Sequence, residues 1–294
     1  MQRVKYTNPR GESVIFGLAP PFVFNHIRGT GAMEAEFLLS TPASIDGETI
    51  HDVRIKPRTI TLTIHIEGGD REDLYTKRQQ LMALLNPMQH KGGKLGKLEY
   101  ANDRFPSGVW IPAVVKKGPS PAEQVVDFHP NLPIVFECPD PLWRSHQLTT
   151  QRVAYLDDGF EFPLEMDSNS GFQFGAIGHE SDIYNEGDSP APLILTIIGP
   201  AREPGLRLLP SGEFIRVKRD LAVDDILTID TTPGHRSATI VRANGSSESA
   251  MGYIDLATTW IQLQPGLNKA QFFAGDESRP GTISTSHYDR YGGV

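Results

Sequence analysis

The run Ile60-Thr61-Leu62-Thr63-Ile64-His65-Ile66-Glu67 constrains the fold more than any other stretch of the chain. Side chains alternate across a strand, so Ile60, Leu62, Ile64 and Ile66 fall on one face and Thr61, Thr63 and His65 on the other. The alternation predicts a strand with one buried face, ended by Gly68-Gly69. Asp70 can then cap a helix whose first turn carries Glu72 and Asp73, favourable against the helix dipole. Leu74, Leu81 and Leu85 form its apolar stripe, and Asn86-Pro87 stops it. This is the one substantial helix expected.

Beyond it, Lys91-Gly92-Gly93-Lys94-Leu95-Gly96-Lys97 reads as a turn-rich connection into a strand at Leu98-Glu99-Tyr100. Strands are expected at Val109–Val115 and Leu132–Cys138. Pro139 and Pro141, around Asp140 and before Leu142-Trp143, cannot sit inside a regular sheet or helix and mark a domain boundary. The second half reads as a series of short strands at Leu193–Ile198, Leu206–Leu209, Glu213–Val217, Asp225–Ile229, Ala238–Val241, Thr258–Leu263, Ala270–Phe273 and Thr282–His287. Turn signals such as Gly199-Pro200, Pro233-Gly234 and Asn244-Gly245 separate them. That spacing, with no convincing helix, indicates a β-sandwich.

A chain of 294 residues holds two domains or one large β-domain, and 28 Gly with 23 Pro suit a globular protein rich in turns. Residues 1–150 carry 17 basic against 16 acidic side chains, and residues 151–294 carry 11 against 20. The asymmetry favours two separately composed halves. It argues against a dedicated nucleic-acid binder, which needs a concentrated basic surface. Cys138 is the single cysteine, which leaves no intramolecular disulfide and no cysteine-based zinc site. No uncharged apolar run approaches the roughly 18 residues of a membrane helix, and Met1–Tyr6 lacks a signal-peptide stretch, so synthesis in a cytoplasm is the expectation.

Motifs that could carry chemistry resolve into plainer readings. Gly92 and Gly96-Lys97 miss the spacing of a phosphate loop, and Leu98 stands where Ser or Thr is needed. Lys116-Lys117-Gly118-Pro119 likewise reads as a solvated turn. His179-Glu180 would open a zinc-protease helix only with histidine at position 183, which is Ile183. Asp167, Asn169 and Gly171 resemble the start of a calcium loop, but Phe172 and Gly178 occupy its glycine and glutamate positions. Cys138 beside Pro139 reads as core. Glu161, Glu165, Asp224, Asp225 and Asp230 could supply a glycosidase pair only if two of them face each other, and solvated loop charges are the expected reading. Trp110, Trp143 and Trp260 could stack on a sugar, with Trp260 better read as packing. No catalytic, cofactor-binding or metal-binding residue is assigned, and no cofactor is expected.

Several segments together resemble the distal tail protein family of siphophages over nearly the whole chain. In the first half these are Arg58–Ile64, the Gly68–Pro87 turn and helix ending Leu84-Leu85-Asn86-Pro87, and Phe136-Glu137-Cys138-Pro139-Asp140-Pro141-Leu142-Trp143. In the second they are Asn185-Glu186-Gly187-Asp188, Asp225–Asp230, Gln264–Asn268 and Tyr288–Val294. The resemblance implies a mainly β protein. Residues 1–145 would form an N-terminal α+β belt domain, β-sandwich-like with one helix and a β-hairpin, and residues 146–294 a galectin-like or carbohydrate-module-like β-sandwich.

It also implies a structural virion protein without enzymatic activity, made in the bacterial host cytoplasm. As a hexameric ring at the phage tail tip it would join the tail-tube protein to the tail-associated hub protein and support receptor-binding components for host attachment. DNA would pass through the channel, and no membrane insertion is implied. The alternative is a carbohydrate-binding adhesin module of a phage or prophage tail. A hydrolytic tail enzyme is a third class, which no motif supports. Asn8–Thr30 and Asp167–Tyr184 match no part of the family pattern.

Overall fold

The computed structural model describes residues 2–41, 46–121, 128–154, 180–274 and 282–294. Two compact units emerge, one of Met1–His146 with Tyr291–Val294 and one of Gln147–Arg290. The division thus lies beyond the prolines at 139 and 141. Trp143, just after them, is fully buried in the first unit's core.

The first unit contains β1 (Arg3–Thr7), β2 (Ser13–Phe16), β3 (Phe22–Arg28), β4 (Ala35–Ser40), β5 (Thr49–Ile55), β6 (Arg58–Glu67), α1 (Arg71–Leu84), β7 (Gly96–Ala101), β8 (Val109–Lys117), β9 (Phe128–Cys138) and β10 (Trp143–Ser145). Its main sheet runs β2-β1-β7-β8-β9-β6-β3. The two ends of that path meet. Gly17 bridges Val23, donating its N–H to Phe22 O and accepting from Phe24 N–H at 2.7 Å. A sheet that closes on itself leaves few edges exposed to stray pairing. β8 makes the curvature possible by pairing with β7 along Val109–Ala113 and with β9 from Val114 onward.

The alternation read in β6 holds: Ile60, Leu62, Ile64 and Ile66 are fully buried, and Leu98, Ile111, Ile134, Phe136 and Cys138 join them in one core. α1 closes this core with Leu74 and Leu81, followed by Leu85. β4 and β5 form a separate two-stranded sheet.

The described residues of the second unit form two sheets. β11 (Thr149–Ala154), β12 (Glu180–Asn185), β13 (Ala191–Ile198), β14 (Gly205–Leu209), β15 (Phe214–Arg216), β16 (Ile226–Asp230), β17 (Ser237–Val241), β18 (Ser247–Ser249), β19 (Gln262–Leu263), β20 (Gly266–Phe273) and β21 (Ile283–His287) follow in chain order. The larger sheet runs β11-β21-β13-β16-β17-β18 with β19 on β13, and the smaller runs β12-β20-β14-β15. Leu193, Leu195, Ile197, Leu227 and Ile229 of the larger share one core with Ile183, Leu206, Ala270 and Phe272 of the smaller, as a β-sandwich requires. The expected strand Thr258–Leu263 shortens to Gln262–Leu263. Thr259 N–H instead donates to Phe214 O at 2.8 Å, which holds that stretch as a loop beside β15. The last strand, β22 (Arg290–Tyr291), pairs with β10.

Candidate assembly surface

Among the described residues of the first unit, β4 and β5 are the least covered pair of strands. Register pairs Ala35 with Ile55, Phe37 with Val53 and Leu39 with Ile50, so these six side chains share one face, and all are apolar. Glu36 pairs with Arg54, Leu38 with Asp52 and Ser40 with Thr49, which makes the opposite face mostly polar. Ile50 and Val53 lie three apart and would point to opposite faces of a regular strand. A bulge absorbs the extra residue between the Leu38 and Leu39 pairings and restores them to one side. The offset residue, His51, meets Ser40 Oγ through Nε2 at 2.5 Å.

An amphipathic hairpin normally lays its apolar face on a core. Here Phe37, Leu39, Ile50, Val53 and Ile55 are exposed by 40–59%. Within the described residues neither strand pairs with any other, and Lys56 N–H to Glu34 O closes the hairpin's base at 2.9 Å. Two strands alone are marginal in water. Exposed apolar rows and unpaired edges are the features by which sheets recruit another chain. Of the sequence signals, Ala35, Phe37 and Leu39 alternate, but the three-residue step from Ile50 to Val53 hides the partner strand.

Residues singled out for chemistry take structural places. Cys138 is fully buried, and burial pushes its thiol up to about 12, which removes thiolate character. Gly92 and Gly93 turn through positive φ, and Lys97 lies 2.6 Å from Glu99 and over the Trp110 ring. Lys116 bonds Glu137 at 2.6 Å. Asp225 is held by Arg242, and Asp230 accepts the N–H of Thr232. Trp143 is core, while Trp260 packs on the second core under Arg236. His90 accepts from Val115 N–H through Nε2, which leaves Nδ1 to donate to Lys94 O at 2.8 Å. Glu161, Glu165, Asp167, Asn169, Gly171 and His179 lie outside the described residues. Among the described residues no cluster of three or more His, Cys, Asp or Glu is placed to hold a metal, and no helix is long and apolar enough to cross a membrane.

On the outer side of the smaller sheet of the second unit, Tyr184 stands opposite Leu267 with 57% of its surface exposed. Phe214 and Phe273 pack edge to face at 6.0 Å, with Arg207 over Phe273. Among the described residues, only one ring is therefore widely open on that face, where a sugar platform would present a row.

Two family models divide the chain between them. The phage tail protein RIFT-related domain matches residues 10–125, over the closed sheet, hairpin and helix, and the siphovirus-type tail component C-terminal domain matches residues 186–291, over the sandwich. The chain belongs to the siphophage distal tail proteins. It is a structural component of a phage tail. Among solved structures it is similar to SPP1 Dit, described as a paradigm of hub adsorption apparatus in Gram-positive infecting phages, with a TM-score of 0.68 and 16% identity over 98% of each chain. It is also similar to a chain of the phage P2 baseplate in its activated conformation, with Ca or with Sr, at a TM-score of 0.56 and 13% identity over 100% of each chain. At such identities the likeness is one of fold. No curated protein sequence matches the chain.

Proposed function

We propose that this distal tail protein closes into a hexameric ring at the tail tip through its hairpin, and that it works by shape, without catalysis. The uncovered apolar face of β4–β5 carries the reading. A ring needs a heterologous contact, in which one patch of each copy meets a different patch of the next, and an arm projecting an unsatisfied apolar face supplies one half of it. Completing the burial of its five half-exposed large side chains is worth about 1 kcal/mol each, enough to matter when every interface in the ring repeats it. Six copies, the tail-tube protein on one side, the hub protein on the other and receptor-binding components outside follow the family pattern. Production in the host cytoplasm belongs to the same reading. The near balance of 17 basic and 16 acidic residues in positions 1–150 suits a channel wall that neither grips passing DNA nor repels it strongly. Among the described residues of that sheet, the single widely open ring at Tyr184 gives carbohydrate recognition less support.

The test compares the full chain with Val53→Lys, on the apolar face, and Arg54→Ala, on the polar face. Negative-stain imaging and light scattering, alone and with tail-tube subunits, should find sixfold rings for the natural chain and for Arg54→Ala. Val53→Lys should give monomers with unchanged circular dichroism. Rings formed equally well by Val53→Lys, or no ring from the natural chain even with its tube, would overturn the proposal.

A further inference from the structure

We infer that Tyr291–Val294 are a clasp that completes the first unit from the far end of the chain, so that this unit reaches its finished fold only after the second unit has been made. The inference starts at Arg58, which is 7% exposed and has no carboxylate partner among the described residues. Its guanidinium donates instead to four carbonyls. Nη1 reaches Gly29 O at 2.8 Å and Gly31 O at 2.7 Å, Nε reaches Pro141 O at 3.0 Å, and Nη2 bonds Gly292 O. A buried cation needs its donors satisfied, and the rigid fork of arginine suits several fixed acceptors. Three separate segments thus converge on one side chain, and the last of them lies 234 residues away.

The tail is fitted there and does not merely pass by. Tyr291 is 9% exposed in the first core, with its ring 4.9 Å from Phe105, and β22 pairs with β10. Val294 N–H donates to Thr30 O at 3.0 Å. Gly293 passes so close to the Gly29–Gly31 turn that an added Cβ would stand 3.0 Å from Gly31 O. Gly29, at φ +88°, is constrained still more tightly from the other side, since a Cβ there would stand 2.2 Å from Thr59 O. Without the tail, Arg58 loses an acceptor, the turn loses a strap and Phe105 loses its cover. All of these residues precede the second unit in synthesis, while their clasp follows it.

The closure rests on the fold of the first unit and not on the ring reading, so the readout is protease resistance and not ring formation. Chains of residues 1–294 are stalled on ribosomes by added linkers, short enough to hold residues 291–294 inside the exit tunnel or long enough to release them. Limited proteolysis should cut the first unit with the short linker and spare it with the long one. Resistance with either linker, or resistance as soon as residues 1–146 have emerged, overturns the clasp. In the released protein, Gly293→Val keeps the chain length and forces the tail off its seat. Hydrogen exchange should then quicken about tenfold or more at Gly29–Gly31 and Trp143–Ser145, while β13 and β16 stay protected. Unchanged exchange at those positions counts equally against it.

Discussion

Asp225 carries a charge that its burial alone would oppose. Desolvation pushes its carboxyl up, but hydrogen bonds from Arg242 and from the N–H groups of Ala222 and Ala243 outweigh that and hold it below the usual carboxylate range. With the folded value depressed, its contribution to stability is fully present above the unfolded value of about 3.9 and disappears as the pH falls through the lower folded value. Asp225→Asn should therefore lower the neutral-pH stability of the second unit and flatten its acid-unfolding curve below pH 4, followed by circular dichroism during titration; an unchanged acid limb would contradict this. Such roles were unevenly legible. Cys138 declares itself as core because Ile134, Phe136 and Cys138 alternate in β9. Asp225 reads as a solvated loop charge, because nothing near it in sequence announces Arg242, and nothing near Arg58 announces the carbonyls that satisfy it.

Helix α1 was written almost wholly in local chemistry. Asp70 accepts from Asp73 N–H at 2.8 Å, and Asp73 returns a carboxylate oxygen to Gly69 N–H at 3.0 Å, a reciprocal cap that satisfies two free donors. Asp70→Ala should cost about 1 kcal/mol. Leu81→Ala, which opens a hole under the helix, should cost about 2–5 kcal/mol. Urea denaturation that ranked them the other way would show that the helix is held by its end more than by its face. The hairpin is the opposite case. Its strands can be read only when the bulge at His51 is known, since that bulge converts a broken alternation into one continuous apolar face. The loop at Thr258–Ile261 makes the same point, because alternation around Trp260 mimics a strand where bonds to β15 impose a turn.

At the scale of the molecule, two cores are built from different residues, one around β6 and α1 and one between the sheets of the sandwich. Calorimetry should resolve two unfolding transitions, and Leu193→Ala should move only the one belonging to the second unit, by about 2–5 kcal/mol. A single transition displaced as a whole would refute that independence. The sequence by itself determined the mainly β character, the helix with both its ends, most strands of the sandwich and the burial of Cys138. These depend on backbone preference and side-chain parity within a few residues. Only the tertiary structure decided that the first sheet closes at Gly17 and Val23, that the hairpin presents one uncovered apolar face, and that Gly292 returns to Arg58. Such contacts join residues whose separation along the chain bears no relation to any period of the sequence, so they arise only from the path the folded backbone takes.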